Sequence, residues 1–344
     1  MSHFVLYFLA GIISLVCTAV SLPLWKRWVG AVLLDKPGGL KHHAHTVPAV
    51  GGCGLFTGLT AALIAVRLFT QFPSGTLHSL RGIILGGALV FCMGLLDDIK
   101  KPKGLNITTK LFFQAAAACC LIYYGISIHI FQTPWITYPL TFLWVVGLTN
   151  AFNLLDIMDG LCTTQAMVCT LGLLLIAFPS KFVYVNFAAM SLLGACIAFL
   201  PFNFSSKNKL FLGDSGSNLL GFLIAALCLG TGYSESSVWG FLAPLFIVLV
   251  PATDISFVTL ARITKGKNPL QGSADHAALR LQAAGWSGRG VLRTFAAAAV
   301  AGNLLAWLLT FCPPTITFLI LLLTSIIVFA TVVYLMRLEK PHAR

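Results

Sequence analysis

The sequence predicts an all-α, polytopic integral membrane protein with about 11 transmembrane helices, and three observations support this class. Charged residues make up only 9% of the 344 residues, whereas hydrophobic residues make up 58%. So few charges could not cover the surface of a soluble protein of this size, because soluble domains have roughly 25%. Apolar runs long enough to cross a bilayer, which takes about 17–25 residues, recur along the chain. A helix also satisfies the backbone hydrogen bonds of each lipid-exposed segment internally.

Eleven apolar runs are predicted as spans, in order along the chain. The first has no cationic segment before it and no small-residue cleavage site after it, so it is predicted to be a retained span rather than a signal peptide. Together the runs predict one membrane-embedded domain over residues 1–344. The predicted spans are 4–24, 49–69, 79–96, 107–124, 138–155, 161–178, 183–200, 215–232, 238–260, 291–311 and 315–335.

Lys and Arg are distributed unevenly between the two predicted sides of the membrane. The odd-numbered connections and the C-terminus hold 19 of these residues, and the opposite side holds three. Positive charge collects on the cytoplasmic side, which places the N-terminus outside and the C-terminus in the cytoplasm. The net charge of +12 is explained by topology and attraction to anionic lipid, or additionally by an anionic substrate on that face. No basic stripe interleaved with aromatic residues lies outside the spans, so no nucleic-acid partner is predicted.

Five of the ten acidic residues lie at three predicted helix ends, all on the predicted cytoplasmic side. Asp97 and Asp98 end the third span, Asp156 and Asp159 follow the fifth, and Asp214 precedes the eighth. A carboxylate near the membrane core costs roughly 2.5–3.5 kcal/mol. One such residue is explained by a helix cap or a lysine partner, but five at one depth favour a bound cation. Clustered oxygen ligands suit Mg²⁺.

Signals for phosphate recognition lie beside these acids. Gly213 and Gly216 permit close backbone approach at a helix start, where free amides favour an anion, although Ser215 could be a simple helix cap. Asn150 and Asn153 precede the acidic pair at helical spacing, and each fits ligand binding or a bond to another helix about equally well.

Five segments carry short motifs that occur in a fixed order. They are Asp35-Lys36-Pro37 with Lys41, His43 and Gly51-Gly52; Asp97-Asp98 with Lys110 and Gln114; Asn150 to Leu161; Phe211 to Ser217; and Asp275 to Leu281. Together they resemble the motifs of the polyprenyl-phosphate N-acetylhexosamine-1-phosphate transferase family, glycosyltransferase family 4. Within it, the chain resembles the undecaprenyl-phosphate N-acetylglucosamine-1-phosphate transferases and is related to the phospho-N-acetylmuramoyl-pentapeptide translocases.

The resemblance implies a reaction and a place for it. Such enzymes transfer a HexNAc-1-phosphate, here GlcNAc by default, from a UDP-sugar to undecaprenyl phosphate and release UMP. The step begins cell-envelope polysaccharide synthesis at the bacterial inner membrane, with the active site facing the cytoplasm. The implied active site is formed by loops 25–48, 97–106, 156–160, 201–214 and 261–290. Whether the protein is a monomer or a homodimer stays open.

The resemblance also implies residue roles. Asp214 and Asp98 would bind Mg²⁺, with Mn²⁺ as an alternative metal, and Asp97 or Asp98 would orient or deprotonate the lipid phosphate. The implied catalytic residues are Asp97, Asp98, Asp156, Asp159 and His276. The implied substrate-binding residues are Lys41, His43, Lys110, Asn150, Asn153, Asn203, Gly213, Ser215 and Arg280, with Asn203 on the uracil side.

Three departures from the family pattern concern sugar specificity and rate more than reaction class. Ile157 stands where the family has Gly, Ala49 where a large residue is common, and Ala278 and Leu279 where Ser and a second His are expected. The main alternative function is an ion-coupled membrane transporter, because carboxylates within a membrane also mark ion paths. Against it, no predicted span carries a lone charge at its centre, and no inverted repeat is visible.

Overall fold

The computed structural model describes residues 3–35, 46–69, 75–131, 133–178, 182–266 and 275–338. The chain forms two compact units, which divide between residues 232 and 233 of the described chain. The first unit contains eight helices and a two-stranded hairpin. In order, these elements are α1 His3–Val29, β1 Leu34–Asp35, β2 Val47–Pro48, α2 Gly51–Phe69, α3 Thr76–Ile99, α4 Ile107–Tyr123, α5 Pro134–Leu155, α6 Leu161–Ala177, α7 Val183–Phe204 and α8 Gly213–Gly230.

Local sequence explains where the helices of the first unit begin. Asn106 caps α4, because its side chain accepts a hydrogen bond from the backbone N–H of Thr109 at 2.7 Å. Pro134 occupies the first turn of α5, where its missing N–H costs nothing. Gly160 and Gly213 precede or open α6 and α8 with φ values of 74° and 75°, a conformation that favours glycine.

Helix α8 forms the centre of the first unit. Of its 18 residues 89% are buried, and the helix packs against α2, α3, α5 and α6. Gly221 allows close packing on α5, since a Cβ there would lie 2.6 Å from the carbonyl oxygen of Leu148. The position of the first turn of α8 is therefore set by the helices around it.

A backbone ladder joins the hairpin to the segment before α8. Strands β1 and β2 are antiparallel, with Leu34 opposite Pro48. The backbone N–H of Phe211 donates to the carbonyl of Pro48, and the N–H of Gly51 donates to the carbonyl of Phe211, both at 2.9 Å. The start of α2 is thus fixed beside the start of α8.

The second unit is also helical. A 3₁₀ helix, Val238–Leu242, leads into α9 Ala243–Ile247, α10 Leu249–Ile263, α11 Ala277–Ala283, α12 Gly288–Leu309 and α13 Pro314–Arg337. The predicted span 238–260 is broken here, with a 65° bend before α10. Pro251 explains the break, because it has no N–H to donate to the carbonyl of Ile247.

The all-α membrane class is confirmed. Within the described residues, eight helices are long and apolar enough to cross a membrane, and the bent pair gives up to nine. Helices α4 and α6 are apolar but have only 17 residues each. Every predicted span overlaps a helical segment, while the number of 11 spans and the sidedness of the termini stay predictions.

Candidate active site

Three helix ends meet at one end of the first unit. Asp97 and Asp98 lie in the last turn of α3, Asn153 lies in the last turn of α5, and Asp214 lies in the first turn of α8. The Asn153 side-chain amide donates to Oδ1 of Asp214 and to the hydroxyl of Ser217, both at 2.9 Å. The carboxylate of Asp98 accepts the backbone N–H of Asp214 at 2.9 Å. The predicted convergence of separate motifs is therefore present for these residues.

Asp98 caps helix α8 with its side chain. Oδ1 accepts the N–H of Asp214, and Oδ2 accepts the N–H of Ser215, each at 2.9 Å. The positive end of the α8 dipole thus already has a carboxylate bound to it. The expectation that these two amides are free to bind a phosphate is wrong in this structure, because Asp98 occupies them.

Lys101 lies between two of the acids, and the sequence analysis missed it. Its Nζ is 2.7 Å from Oδ1 of Asp98 and 3.2 Å from Oδ2 of Asp214. Burial alone would lower the pKa of Lys101, but the carboxylates of Asp214 and Asp98 outweigh it and raise that pKa above the usual range. Lys101 is therefore a permanent cation at the start of α8. The sequence feature that could have predicted this position is the spacing of three residues between Asp98 and Lys101, which places both side chains at the same helix end.

Asp97 faces a different set of groups from Asp98. It accepts hydrogen bonds from the Nζ of Lys110 at 2.6 Å and from the backbone N–H of Leu105. Its carboxyl group is also close enough to that of Asp214 for the two to interact directly. Two carboxyl groups held together in this way favour a cation between or beside them.

Asp156 and Asp159 continue the acidic region beyond α5. Desolvation by nearby protein, followed by repulsion from the carboxylate of Asp214, raises the pKa of Asp156 to about 7, although one side of the residue is open to solvent. Asp159 pairs with Lys209 at 2.5 Å, and Lys209 also lies 5.5 Å from the ring centre of Phe211. Asp159 is thereby tied to the segment that leads into α8.

Two predicted substrate-binding residues, Asn203 and Asn150, use their side-chain polar atoms for contacts within the fold. Asn203 accepts from the N–H of Gly160 at 2.6 Å and donates to the carbonyl of Leu210 at 2.9 Å, so it joins two loops. Asn150 pairs with Gln114 of α4 at 3.0 Å. Gly213 and Ser215 are buried, and a Cβ at Gly213 would lie 2.7 Å from Oδ2 of Asp98.

The second unit holds the residues of the last motif. Nδ1 of His276 lies 3.3 Å from Oδ2 of Asp254, whose other oxygen accepts the backbone N–H of Ala277 at 3.1 Å. Asp254 therefore fixes one edge of the imidazole and the start of α11 together. Asp254 was not among the predicted site residues. The sequence feature that could have indicated it is an acidic residue within an apolar helix.

Arg280, another predicted substrate-binding residue, is buried in the second unit. It donates to Oδ1 of Asp275 at 3.1 Å and to the carbonyl of Leu335 at 2.8 Å. Burial would raise the pKa of Asp275, but the hydrogen bonds from Lys265 and Arg280 lower it below its ordinary value. Leu279 is buried, so this departure from the family pattern lies on the packed side of α11. Lys41 and His43 lie outside the described residues.

The oxygen atoms of the acidic cluster show which residues could bind the predicted metal ion. Within the ranges that the structure describes, no three His, Cys, Asp or Glu side chains group closely enough to hold a metal ion by themselves. Asp98 fits a ligand role poorly, because both of its oxygens already accept hydrogen bonds. Asp214 fits better, because 23% of its side-chain surface is exposed and Mg²⁺ usually takes one or two carboxylates and completes its shell with water and phosphate oxygens. Asp97 accepts hydrogen bonds on both oxygens, as Asp98 does.

Comparison with known proteins identifies similar chains. The family model described as glycosyl transferase family 4 matches residues 80–232, which run from α3 to α8 and include Asp97, Asp98 and Asp214. A Bacillus subtilis (strain 168) protein named "Probable undecaprenyl-phosphate N-acetylglucosaminyl 1-phosphate transferase" is 30% identical over 293 residues, covering 81% of this chain and 78% of the relative.

Two further relatives are more distant. The decaprenyl-phosphate N-acetylglucosaminephosphotransferase of Mycobacterium tuberculosis (strain ATCC 25618 / H37Rv) is 28% identical over 282 residues, covering 73% of this chain and 69% of the relative. The undecaprenyl-phosphate alpha-N-acetylglucosaminyl 1-phosphate transferase of Escherichia coli (strain K12) is 26% identical over 285 residues, covering 78% and 75%.

Proposed function

This chain belongs to glycosyl transferase family 4, and we propose that it transfers N-acetylglucosamine 1-phosphate from UDP-N-acetylglucosamine to undecaprenyl phosphate. The products are undecaprenyl-diphosphate-N-acetylglucosamine and UMP. One observation carries the proposal: carboxylates and lysines from α3, the loop that follows it, α4 and α8 gather at one end of an apolar helical bundle. The names of the relatives support the sugar and the polyprenyl acceptor.

The reaction joins two anions, and this sets what the protein must supply. An oxygen of the lipid phosphate attacks the phosphorus that carries the sugar, and the bond from that phosphorus to the oxygen of UMP breaks. UMP leaves with the electron pair of that bond. The acceptor phosphate has a second pKa of about 6 and is largely ionised at neutral pH. Phosphoryl transfer therefore depends mostly on positioning and on positive charge.

Lys101 and Lys110 are the proposed cations for the phosphates. Lys110 is held at 2.6 Å by Asp97, and Lys101 is held by Asp98 and Asp214. These contacts fix the ammonium groups before substrate arrives, which lowers the cost of reorganisation during the reaction. Asp97 is the acid we propose to face the lipid phosphate, where it orients the attacking oxygen through Lys110.

Asp214 is the proposed ligand for Mg²⁺ or Mn²⁺. When bound, the divalent ion supplies positive charge to the pyrophosphate oxygens. Asn153 orients Asp214 by donating to its Oδ1 at 2.9 Å. Asp156 and Asp159 are proposed to contact the nucleotide-sugar, and His276, oriented by Asp254, is proposed as a phosphate donor.

The test is a direct assay with the full-length protein in lipid nanodiscs. We expect UMP release and formation of the lipid-linked sugar when undecaprenyl phosphate, UDP-N-acetylglucosamine and Mg²⁺ are all present. Asp214→Asn should abolish both, whereas Glu235→Gln, an exposed acid outside the cluster, should match the wild type. Substrate-dependent ion flux without UMP would favour a transporter and refute the proposal.

The sidedness of the reaction has its own test. We propose that the active site faces the cytoplasm of a bacterial plasma membrane. Inverted membrane vesicles should then convert added UDP-N-acetylglucosamine, while sealed right-side-out vesicles should not. Equal conversion by both preparations, with intact seals, would contradict this orientation.

A further inference from the structure

We propose that Asp98 is a positioning residue: together with Gly94 and Gly52, it fixes the first turn of α8 and thereby Asp214, without touching substrate or metal. The catalytic readouts below rest on the proposed function. The exchange readout does not, because it reports on the backbone of α8 in the absence of substrates.

The hydrogen bonds of Asp98 point to this role. Its side chain is buried, and each carboxylate oxygen accepts one backbone N–H from the first turn of α8, at 2.9 Å. Lys101 adds a third hydrogen bond, to Oδ1 at 2.7 Å. A carboxylate has about four acceptor sites, so at most one is left, and that one is enclosed with the side chain. The geometry is that of a helix cap provided by a neighbouring helix.

Two glycines hold the same turn from its other sides. A Cβ at Gly94 of α3 would lie 2.4 Å from the carbonyl oxygen of Asp214 and 2.5 Å from the nitrogen of Ser215. A Cβ at Gly52 of α2 would lie 2.4 Å from the nitrogen of Gly216. These neighbours are backbone atoms, which cannot rotate away as a side chain can. The first turn of α8 is therefore in direct backbone contact with α2 and α3.

The neighbouring acid shows that this arrangement is specific to Asp98. Asp97 accepts from Lys110 and from the N–H of Leu105, and neither donor belongs to α8. Its carboxyl group instead faces that of Asp214. The two adjacent aspartates therefore have different partners: Asp98 holds the backbone of α8, and Asp97 holds Lys110 and faces Asp214.

The first experiment compares Asp98→Asn with Asp97→Asn by hydrogen–deuterium exchange of the peptide that spans residues 211–218, in nanodiscs without substrate. The side-chain oxygen of an asparagine at position 98 can accept one backbone N–H of α8, but its NH₂ group would face the second N–H and cannot accept it. We expect exchange at Asp214 and Ser215 to rise at least about tenfold in Asp98→Asn and to stay unchanged in Asp97→Asn. Inactive Asp98→Asn with wild-type exchange would overturn the proposal, because Asp98 would then act on substrate or metal directly.

The second experiment compares Gly94→Ala with Gly87→Ala. Both glycines lie on α3 and face α8, but a Cβ at Gly87 would meet a methyl of Leu219 at 3.4 Å and the ring of Phe222 at 3.8 Å, which are ordinary contacts. The methyl at position 94 must displace the first turn by roughly 1 Å, and a displacement of that size can cost about 100-fold in rate. We expect kcat to fall by about that factor in Gly94→Ala, with KM for undecaprenyl phosphate changed less than threefold, and Gly87→Ala to stay within twofold of wild type.

The outcomes separate the two proposals. Equal kcat in the two alanine variants, both monodisperse, would refute the positioning role. If the wild type released no UMP at all, the proposed function would fail, and the exchange comparison would still decide whether Asp98 holds α8.

Discussion

Replacing Lys101 with methionine tests the electrostatics of the site most directly. The substitution keeps a long apolar stem and removes the ammonium group that lies 2.7 Å from Asp98 and 3.2 Å from Asp214. Asp98 would keep its two backbone donors, so the cap of α8 should survive. What is lost is a fixed positive charge beside the proposed path of the phosphates.

The magnitude follows from the role of such charges. Removing one preorganised donor to a developing anion typically costs about 10²–10³-fold in kcat, or roughly 2.7–4 kcal/mol. The Lys101 side chain keeps 23% of its surface exposed, and solvent weakens its field, so we expect the lower end of that range. The prediction is a loss of about 100-fold in kcat, with a smaller loss in Lys101→Arg.

The assay is UMP release in nanodiscs at saturating UDP-N-acetylglucosamine, undecaprenyl phosphate and Mg²⁺. Lys103→Met is the matched control, because Lys103 lies two residues away in the same loop and is exposed. If Lys101→Met and Lys103→Met turned over within threefold of each other, the claim that Lys101 serves the phosphates would be wrong.

Three further predictions concern the rest of the site. Removing divalent ions with EDTA should stop UMP release, and adding Mg²⁺ or Mn²⁺ should restore it; full activity after exhaustive chelation would exclude the proposed metal. Asn203→Ala breaks two hydrogen bonds between loops, each worth about 1 kcal/mol, and should lower the apparent Tm. An unchanged Tm with a raised KM for the UDP-sugar would instead indicate a direct uracil contact. The pKa of Asp156 is raised to about 7, so the folded state holds this proton more tightly than the unfolded chain, and stability is lost as pH rises towards 7. Asp156→Asn should therefore raise the apparent Tm at pH 8 and have little effect below pH 4, the ordinary carboxyl range; an equal shift at both pH values would contradict this assignment.

The sequence was sufficient for the class of fold and for most helix positions. Hydropathy located the helical segments, because the cost of placing polar residues in lipid acts on every segment separately. The bend before α10 was not predicted, although Pro251 gave a local signal for it. An apolar run shows that a segment is buried in lipid or protein, but it does not show whether the helix is continuous.

The motifs named residues that the fold brings close together, but they did not indicate the contacts of those residues. Motif order predicted functional roles for Asp98, Asn150 and Asn203, but the structure gives their polar atoms partners within the fold. Such partners come from helices distant in sequence, so no local pattern reports them. Lys101 was missed for the opposite reason: a lysine after a helix end is ordinary in sequence, and only the fold places it between two acids.

The balance of charge in the first unit determines how a cluster of acids could bind the proposed anionic substrate. Asp97, Asp98, Asp159 and Asp214 meet three lysines, Lys101, Lys110 and Lys209. The cluster therefore keeps about one negative charge, and Asp156 adds a part of another near neutral pH. A negative cluster attracts a divalent cation and repels a nucleotide-sugar, so in the proposed reaction we expect the metal to bind first. Once a doubly charged ion is bound, the same groups carry net positive charge, and the attraction of phosphate follows from Coulomb's law. In the proposed reaction the acids would thus set the order in which metal and nucleotide-sugar bind.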